Sequence, residues 1–524
     1  MKIDYFKMKK DIKMLIFVFF LISLIKILLN FFVKSPSSFG DTYFYVFSAK
    51  SLINLDFIGF FAYYPPLYSL IISWTYLFNN SEVSYFLIKL TNSFISSLVI
   101  FPAYLLAKEY LKNEKISFYC AVIISLLPSN FAYSTYIMSE NIFTFLFLMA
   151  IYTLYIGFKR SSNKFLVLSS LLIALCYTTK VIGIVLFPIV ILFSLIEKKY
   201  KEGFFVLILS LILLIPYFII KNSLLSGYGI LIAEESNFYI LEFLFWMILY
   251  PFFLYLQGFI IFTNSAIKSF KNNSINRLFI INILLILLLS IYHGVLSKSA
   301  IFPGISGRPV ERYLFSALPL IIIMGISNLK KFKINYFLAI PFSILMLYPL
   351  LPPNNIDITW LGIFSFFIKN QILLVQIGIN FVVALGIIFV INHIKEHINL
   401  KRIIFSLFIL NLIIFSGIAY DANTYYLNRD DTRVGKYLNE IAPNSVIVID
   451  KEGCVEQWTK TSKTLCDNEN GMSLVGFWNK KAVIGSYNDG DYFVSKRDLN
   501  LMKIKQFGEV NIYEIKNSHN NSGI

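Results

Sequence analysis

The chain has 524 residues, of which 57% are hydrophobic and only 15% charged, against roughly 45–50% apolar and 25% charged in a soluble globular domain. That composition excludes an ordinary water-soluble core and makes the bilayer the solvent for most of the chain. The formal charge of +16 does not point to nucleic acid, because the basic residues sit in short clusters between apolar runs, where orientation signals belong.

Apolar runs of about 17 to 25 residues, the length that crosses a hydrocarbon layer of about 30 Å, recur from Met14 to Tyr420. The first, Met14 to Val33, follows Lys2, Lys7, Lys9, Lys10 and Lys13. It exceeds the roughly 7 to 15 residues of a signal-peptide core and lacks a small-residue cleavage site, so it reads as a retained span. Closing each run at charged or turn residues gives thirteen spans, near 14–33, 83–107, 116–136, 140–158, 165–179, 181–196, 204–221, 238–264, 278–297, 311–328, 336–351, 371–391 and 403–420. With the N-terminus cytoplasmic, the inside loops 108–115, 159–164, 197–202, 268–277, 330–333 and 393–402 each hold several Lys or Arg, as the positive-inside rule requires. The long outside segment 34–82 is half apolar and reads as helices lying in the interface plane. A crossing by Leu67 to Phe78 would put every later basic loop on the wrong side.

Beyond Tyr420 the chain turns polar, and 421–524 reads as a small extracytoplasmic α/β domain after a membrane domain of 1–420. Val434, Leu438 and Ile441 recur at helical spacing, while 445–450, 481–485 and 510–515 read as strands. Cys120 and Cys176 lie inside apolar runs as packing residues. Cys454 and Cys466 lie in the polar tail, where a disulfide and two free thiols stand equally open.

Four groups of residues on the expected outer side could carry chemistry. Asp41, in Gly40-Asp41-Thr42-Tyr43, could act as a general base or hold a divalent cation, or simply cap the helix that follows. Glu140, in Ser139-Glu140-Asn141, starts an apolar helix, where a carboxylate has a partner, a function, or only the helix dipole to complement. Lys180, in the tight turn between two spans, could meet a phosphate as a point charge or snorkel to the interface. Arg308, Glu311 and Arg312, in Gly307-Arg308-Pro309-Val310-Glu311-Arg312-Tyr313, offer two planar donor forks beside a carboxylate, suited to phosphate oxygens; the bland alternative is an exposed Glu311–Arg312 pair worth about 0 to 1 kcal/mol. His293, His393, His397 and His519 form no recognisable set, and no HExxH, paired CxxC, P-loop or GxGxxG occurs, so zinc-peptidase, ATPase and dinucleotide chemistries are not indicated. Without a nucleotide motif, an enzyme at the outer face would take its activated donor from lipid.

Taken in order, Asp41 after span one, Tyr64-Pro65-Pro66-Leu67 in the first loop, SEN at the fourth span and RPVERY before a late span resemble the integral-membrane GT-C glycosyltransferases, notably the protein O-mannosyltransferase and lipid A aminoarabinose transferase branch. The ending DYFVSKRDLNLMKIKQFGEVNIYEIK is similar to the strand-rich tail of many members. The resemblance implies a polyprenyl- or dolichyl-phosphate sugar as donor and an inverting transfer to an acceptor hydroxyl on protein, glycan or lipid. It maps the catalytic acids onto Asp41 and Glu140, the donor phosphate onto Arg308, Arg312 and Lys180, and supporting positions onto Tyr43, Tyr64 and Glu311. No other cofactor is implied; a divalent metal, if used, would fall to Asp41 and Glu140.

Three features depart from the pattern. Thr42 stands where many members have a second acid, which shifts a paired-carboxylate role to Asp41 with Glu140. Tyr64 stands where aminoarabinose transferases tend to have Lys, and the WWDYG signature of oligosaccharyltransferases is missing. Of the rivals, a lipid or sugar transporter would place ionisable residues near the bilayer midplane in repeated halves, and a mere anchor for the tail would need only one or two spans.

Overall fold

A computed structural model describes residues 5–36, 40–61, 64–78, 80–223, 240–269, 273–296, 300–302, 305–306, 311–329, 334–345, 373–394, 399–450, 473–479, 481–485 and 490–515. Leu- and Ile-rich runs with few charges bury every backbone polar group within the helix, the arrangement a bilayer demands. The helices run α1 Tyr5–Asn30, α2 Gly40–Ile53, α3 Phe57–Phe61, α4 Leu67–Ser73, α5 Ser81–Ser97, α6 Ile100–Leu111, α7 Glu114–Ser125, α8 Pro128–Ala132, α9 Glu140–Arg160, α10 Asn163–Thr179, α11 Leu186–Ile196 and α12 Tyr200–Ser223. Later helices span Ile240–Gln257, Ile261–Lys268, Ser274–Leu296, Leu318–Ile326, Ala339–Leu345, Leu373–Ile394 and Leu400–Asp421.

Among the described residues eight helices are long and apolar enough to cross a membrane, or nine with α7 and α8 taken together, which are bent by 57° at Leu126–Leu127. Most of the thirteen expected spans fall on helices of the described residues, several of them longer than expected, as with α1 and α12. The expected span 311–328 differs, since its α-helix runs only over Leu318–Ile326, nine residues. Composition cannot tell a short buried helix from a spanning one, since both are uniformly apolar.

Burial ranks the helices. The most hydrophobic stretch of α9 is 83% buried, against 22% for α1 and 17% for Leu373–Ile394, so α9 runs through the middle and the others line the lipid side. Buried lysines tie α1 to its neighbours through hydrogen bonds of the kind low dielectric favours. The ammonium of Lys26 donates to Ser96 Oγ and the Asn130 carbonyl, both at 2.8 Å. That of Lys89 donates to the carbonyls of Asn30, the last residue of α1, and of Val33 just beyond it.

The two ends of the bundle differ. One is laced by ion pairs between basic loops: Lys108–Glu114 and Lys159–Glu109 at 2.8 Å, and Arg277–Glu197 at 2.6 Å. The other carries α2–α4 and the C-terminal unit. There β3 (Ile447–Asp450), β4 (Ala482–Gly485), β5 (Tyr492–Ser495), β6 (Met502–Phe507) and β7 (Val510–Glu514) form one sheet, while β1 (Ala300–Phe302) and β2 (Ile305–Ser306) make a separate hairpin. Strand order is β4-β3-β5-β7-β6, with β3 parallel to β4 and β5, and the rest antiparallel. The helix Asp430–Ile441 buries Val434 and Leu438 against the sheet. Ile441, the third member of the expected apolar stripe, is exposed.

The helices of segment 34–82 are more than an interfacial coat. Tyr68 and Ile72 of α4 are fully buried, while Leu55, Phe57, Ile58, Leu70, Trp74 and Leu77 stay exposed, an amphipathic division suited to a helix packed on protein and wet by lipid.

Candidate active site

The N-terminal end of α9 is set by the turn before it. Asn141 Nδ2 donates to the carbonyls of Tyr136 and Met138, both at 3.0 Å, and Asn92 Nδ2 from α5 donates to Tyr136 O at 2.9 Å. Tyr68 OH in turn donates to Asn92 Oδ1 at 3.0 Å. Both amides are thus spent on fixing backbone, which holds Ser139 and Glu140 in place. Ser139 caps no backbone N–H of α9, so its hydroxyl is available for another task.

That task is to join Glu140 to α2. Tyr45 OH donates to Ser139 Oγ at 2.8 Å, and Ser139 Oγ donates to Glu140 Oε2 at 3.3 Å. The other carboxylate oxygen, Oε1, accepts from Lys180 Nζ at 2.7 Å; the two side chains are 4% and 14% exposed. A carboxylate so deeply buried needs such a partner, and the dipole of α9 alone does not describe its surroundings. Lys180 reaches it because the chain breaks there. Helix α10 ends at Thr179, Lys180 is extended, and a 3-10 turn Val181–Val185 folds back over α10. Gly183 permits the fold: a Cβ there would lie 2.7 Å from the Cys176 carbonyl carbon.

Lys180 does not snorkel outward. Its ammonium sits 5.6 Å from the centre of the Tyr313 ring, and the Arg312 guanidinium lies 5.4 Å from the same centre. Two cations therefore share one aromatic ring. The Glu311–Tyr313 turn is anchored by the next residues: Leu314 is fully buried, and Phe315 meets Tyr133 edge to face at 4.8 Å.

Asp41 stands in the first turn of α2, one helical turn before Tyr45; its side chain lies outside the described residues. Thr42, at the position where a second acid was missing, is buried with its hydroxyl toward the Ile137 carbonyl. Tyr64 packs on α2 through Phe44 and Tyr45, ring centres 5.2 and 5.3 Å apart, which puts the Tyr-Pro-Pro-Leu segment behind the Tyr45 hydroxyl. Tyr43 is turned the other way, against Phe47 and Gly476. So Glu140, Lys180, Arg312 and Tyr64 share one locality at the end of the bundle that bears α2, and Tyr43 belongs to a different surface. Arg308 and the side chain of Glu311 lie outside the described residues, as do Cys454, Cys466, His397, His519 and the side chain of His293.

Tyr45, Ser139 and Tyr313 complete the cluster without having been assigned roles from sequence. Spacing held a signal for Tyr45, one turn from Asp41 on the same helix face. Tyr313 stood within the RPVERY motif, but nothing local marked its pairing with Lys180, which is distant in the chain. Among the described residues no three His, Cys, Asp or Glu side chains gather as a metal set, and Glu140 faces an ammonium.

A family model described as dolichyl-phosphate-mannose-protein mannosyltransferase matches residues 64–220, the stretch that contains Tyr64, Glu140 and Lys180. No curated protein matches the chain by sequence. The fold is similar over most of its length to ArnT from Cupriavidus metallidurans. The structure of ArnT bound to undecaprenyl phosphate aligns with a TM-score of 0.61 at 12% identity, covering 95% of this chain and 97% of that one. The apo state aligns with 0.58 at 10% identity and the same coverage. The Archaeoglobus fulgidus oligosaccharyltransferase aligns at 0.41 and 12% identity over 88% of this chain and 64% of its own. The family model and the ArnT-like fold bear out the resemblance to GT-C glycosyltransferases, with a helical membrane body and a small C-terminal sheet unit.

Proposed function

We propose that this GT-C chain is a glycosyltransferase that moves a sugar from a polyprenyl phosphate to an acceptor hydroxyl at the outer membrane face, with inversion. The observation that carries the reading is the buried Glu140–Lys180 pair beside Arg312 on the Tyr313 ring. Glycosyl transfer from a lipid phosphate leaves a phosphate whose negative charge grows in the transition state, and preorganised cations meet that charge without having to reorganise. An ammonium has three N–H donors; Glu140 takes one of Lys180's, which orients the others. Arg312, with Arg308 four residues earlier in the chain, adds planar forks for phosphate oxygens. The ArnT structure of similar fold holds undecaprenyl phosphate, and the matched family is named for a dolichyl-phosphate donor.

In this reading Asp41 takes the proton from the acceptor hydroxyl as that oxygen attacks the anomeric carbon, and the bond from that carbon to the phosphate oxygen breaks. Glu140 holds Lys180 toward the phosphate and, through Ser139 and Tyr45, fixes the helix whose first turn holds Asp41. The basic, ion-paired end of the bundle is then cytoplasmic in the plasma membrane, and α2, the candidate site and the C-terminal unit are outside.

The test is transfer by the purified protein in nanodiscs from radiolabelled polyprenyl-phosphate sugars to a membrane acceptor extract, comparing the wild type with Asp41→Asn and Glu140→Gln. A loss of two orders of magnitude or more in both variants is expected, within the range of general-base catalysis. Equal transfer by wild type and Asp41→Asn removes Asp41 from its role, and no transfer from any lipid-phosphate sugar removes the reading.

A further inference from the structure

The face of α2 turned away from Glu140 bounds a cavity of about 380 Å³ between this helix and the C-terminal unit. Tyr43, Val46, Phe47, Lys50 and Ser51 line it at the spacing of one helix face, a stripe about 12 Å long at 1.5 Å per residue. Asn54 and Asp56 continue it beyond the helix, and Val446, Gly476 and Lys481 close the far side.

The cavity is built into a tight junction. Lys50 Nζ donates to the carbonyls of Gly476, Phe477 and Asn479 at 2.7, 2.9 and 2.6 Å, capping the end of the helix Ser473–Trp478. Tyr85 of α5 meets Phe477 edge to face at 5.5 Å. Engaged by these carbonyls, Lys50 brings no unmet charge to the lining. Tyr43 and Phe47 supply its aromatic lining, their rings stacked with centres 6.2 Å apart and an interplanar angle of 29°. The rim is polar and exposed: Asn54, Asp56 and Lys481. Asp56 Oδ1 accepts from the Gly59 N–H at 2.9 Å, which holds the carboxylate in place beside Ser51, since a Cβ on Gly59 would touch both.

We propose that this cavity is a sugar-binding subsite that takes one neutral pyranose unit of a glycan. Its volume falls at the small end of ligand pockets, about 300 to 1,000 Å³. Flat aromatic faces receive the C–H face of a pyranose ring, and an amide, a carboxylate and an ammonium at the rim supply the donors and acceptors that a ring's hydroxyls need. One acidic and one basic side chain at the rim balance, which favours a neutral sugar over a phosphate or a uronate. Tyr43 is two residues from Asp41, so a unit held here leaves its neighbour at the start of α2, where the attacking hydroxyl is needed. The assignment of a glycan as the acceptor rests on the transferase reading; the sugar site itself does not.

The experiment is saturation-transfer NMR on the full-length protein in nanodiscs, with mannotriose and with the trimer of N-acetylglucosamine as probes. Saturable binding of at least one probe is expected, weakened tenfold or more by Phe47→Ala and by the double substitution Asn54→Ala with Asp56→Asn. Both rim residues are exposed, so the double variant keeps the wild-type melting midpoint and separates lost contacts from lost folding. Binding of neither probe, equal binding by the variants, or displacement of the sugar by inorganic phosphate overturns the proposal. Sugar binding without transfer in the assay above refutes the transferase and the acceptor assignment but not the subsite, whereas transfer without sugar binding refutes the subsite alone.

Discussion

Lys180 shows how one side chain acquires meaning from a distant partner. In sequence it is a lysine at a span end, where snorkelling is the ordinary expectation. In the structure it closes on Glu140, forty residues away, and removing one member of such a buried pair costs about 3 to 5 kcal/mol because the other is left uncompensated. Glu140→Gln or Lys180→Met alone should therefore lower the melting midpoint clearly, and the double substitution should recover most of the loss; additive losses would mean the pair is not coupled. Tyr45→Phe removes only the hydroxyl that reaches Ser139. It should slow transfer about tenfold with substrate affinity nearly unchanged, as expected for a residue that positions a catalytic group. The acids Asp41 and Glu140 and the basic RPVERY motif were legible as candidates because charges are rare in such a chain. Their mutual geometry was not, since it depends on contacts such as Phe315 with Tyr133 that no local spacing encodes.

Elements were legible in proportion to their length and periodicity. Helices α9 and α12 and the helix Leu400–Asp421 lie where apolar runs put them, and β3, β4 and β7 where alternation or apolar runs bounded by turns put them. β6 escaped because Met502–Phe507 is an edge strand, exposed along most of its length, and edge strands carry little hydrophobic signal. Short helices such as Leu318–Ile326 were overextended for the opposite reason, being apolar throughout. The junction of α2 with the C-terminal unit has its own pH dependence. Burial pushes Lys50 from its usual 10.5 down to about 7. The docked state then binds fewer protons than the undocked one between pH 7 and 10.5, so docking tightens as pH rises through that window, by at most about 1.4 kcal/mol per pH unit. Hydrogen exchange in Ser473–Asn479, corrected for intrinsic rates, should be slower at pH 9 than at pH 7, and the difference should vanish in Lys50→Met; faster corrected exchange at pH 9 contradicts it.

For the whole molecule, the division between an ion-paired end and an end bearing α2 and the sheet makes orientation a single binary question. A single cysteine at the Lys112 position and one at the Lys481 position, each in a chain whose native cysteines are replaced by serine, should respond oppositely to an impermeant thiol reagent on intact cells. The Lys481 position is expected to label and the Lys112 position to be protected; the reverse pattern would put the candidate site in the cytoplasm. The central claim is that the cations around Tyr313 stabilise a departing lipid phosphate, and it is tested most directly by stoichiometry. In one reaction with a doubly labelled polyprenyl-phosphate sugar, the account predicts one polyprenyl phosphate released for each sugar transferred, and both falling together by at least a hundredfold in Glu140→Gln. Sugar transfer that persists in that variant, or transfer without release of polyprenyl phosphate, would contradict it.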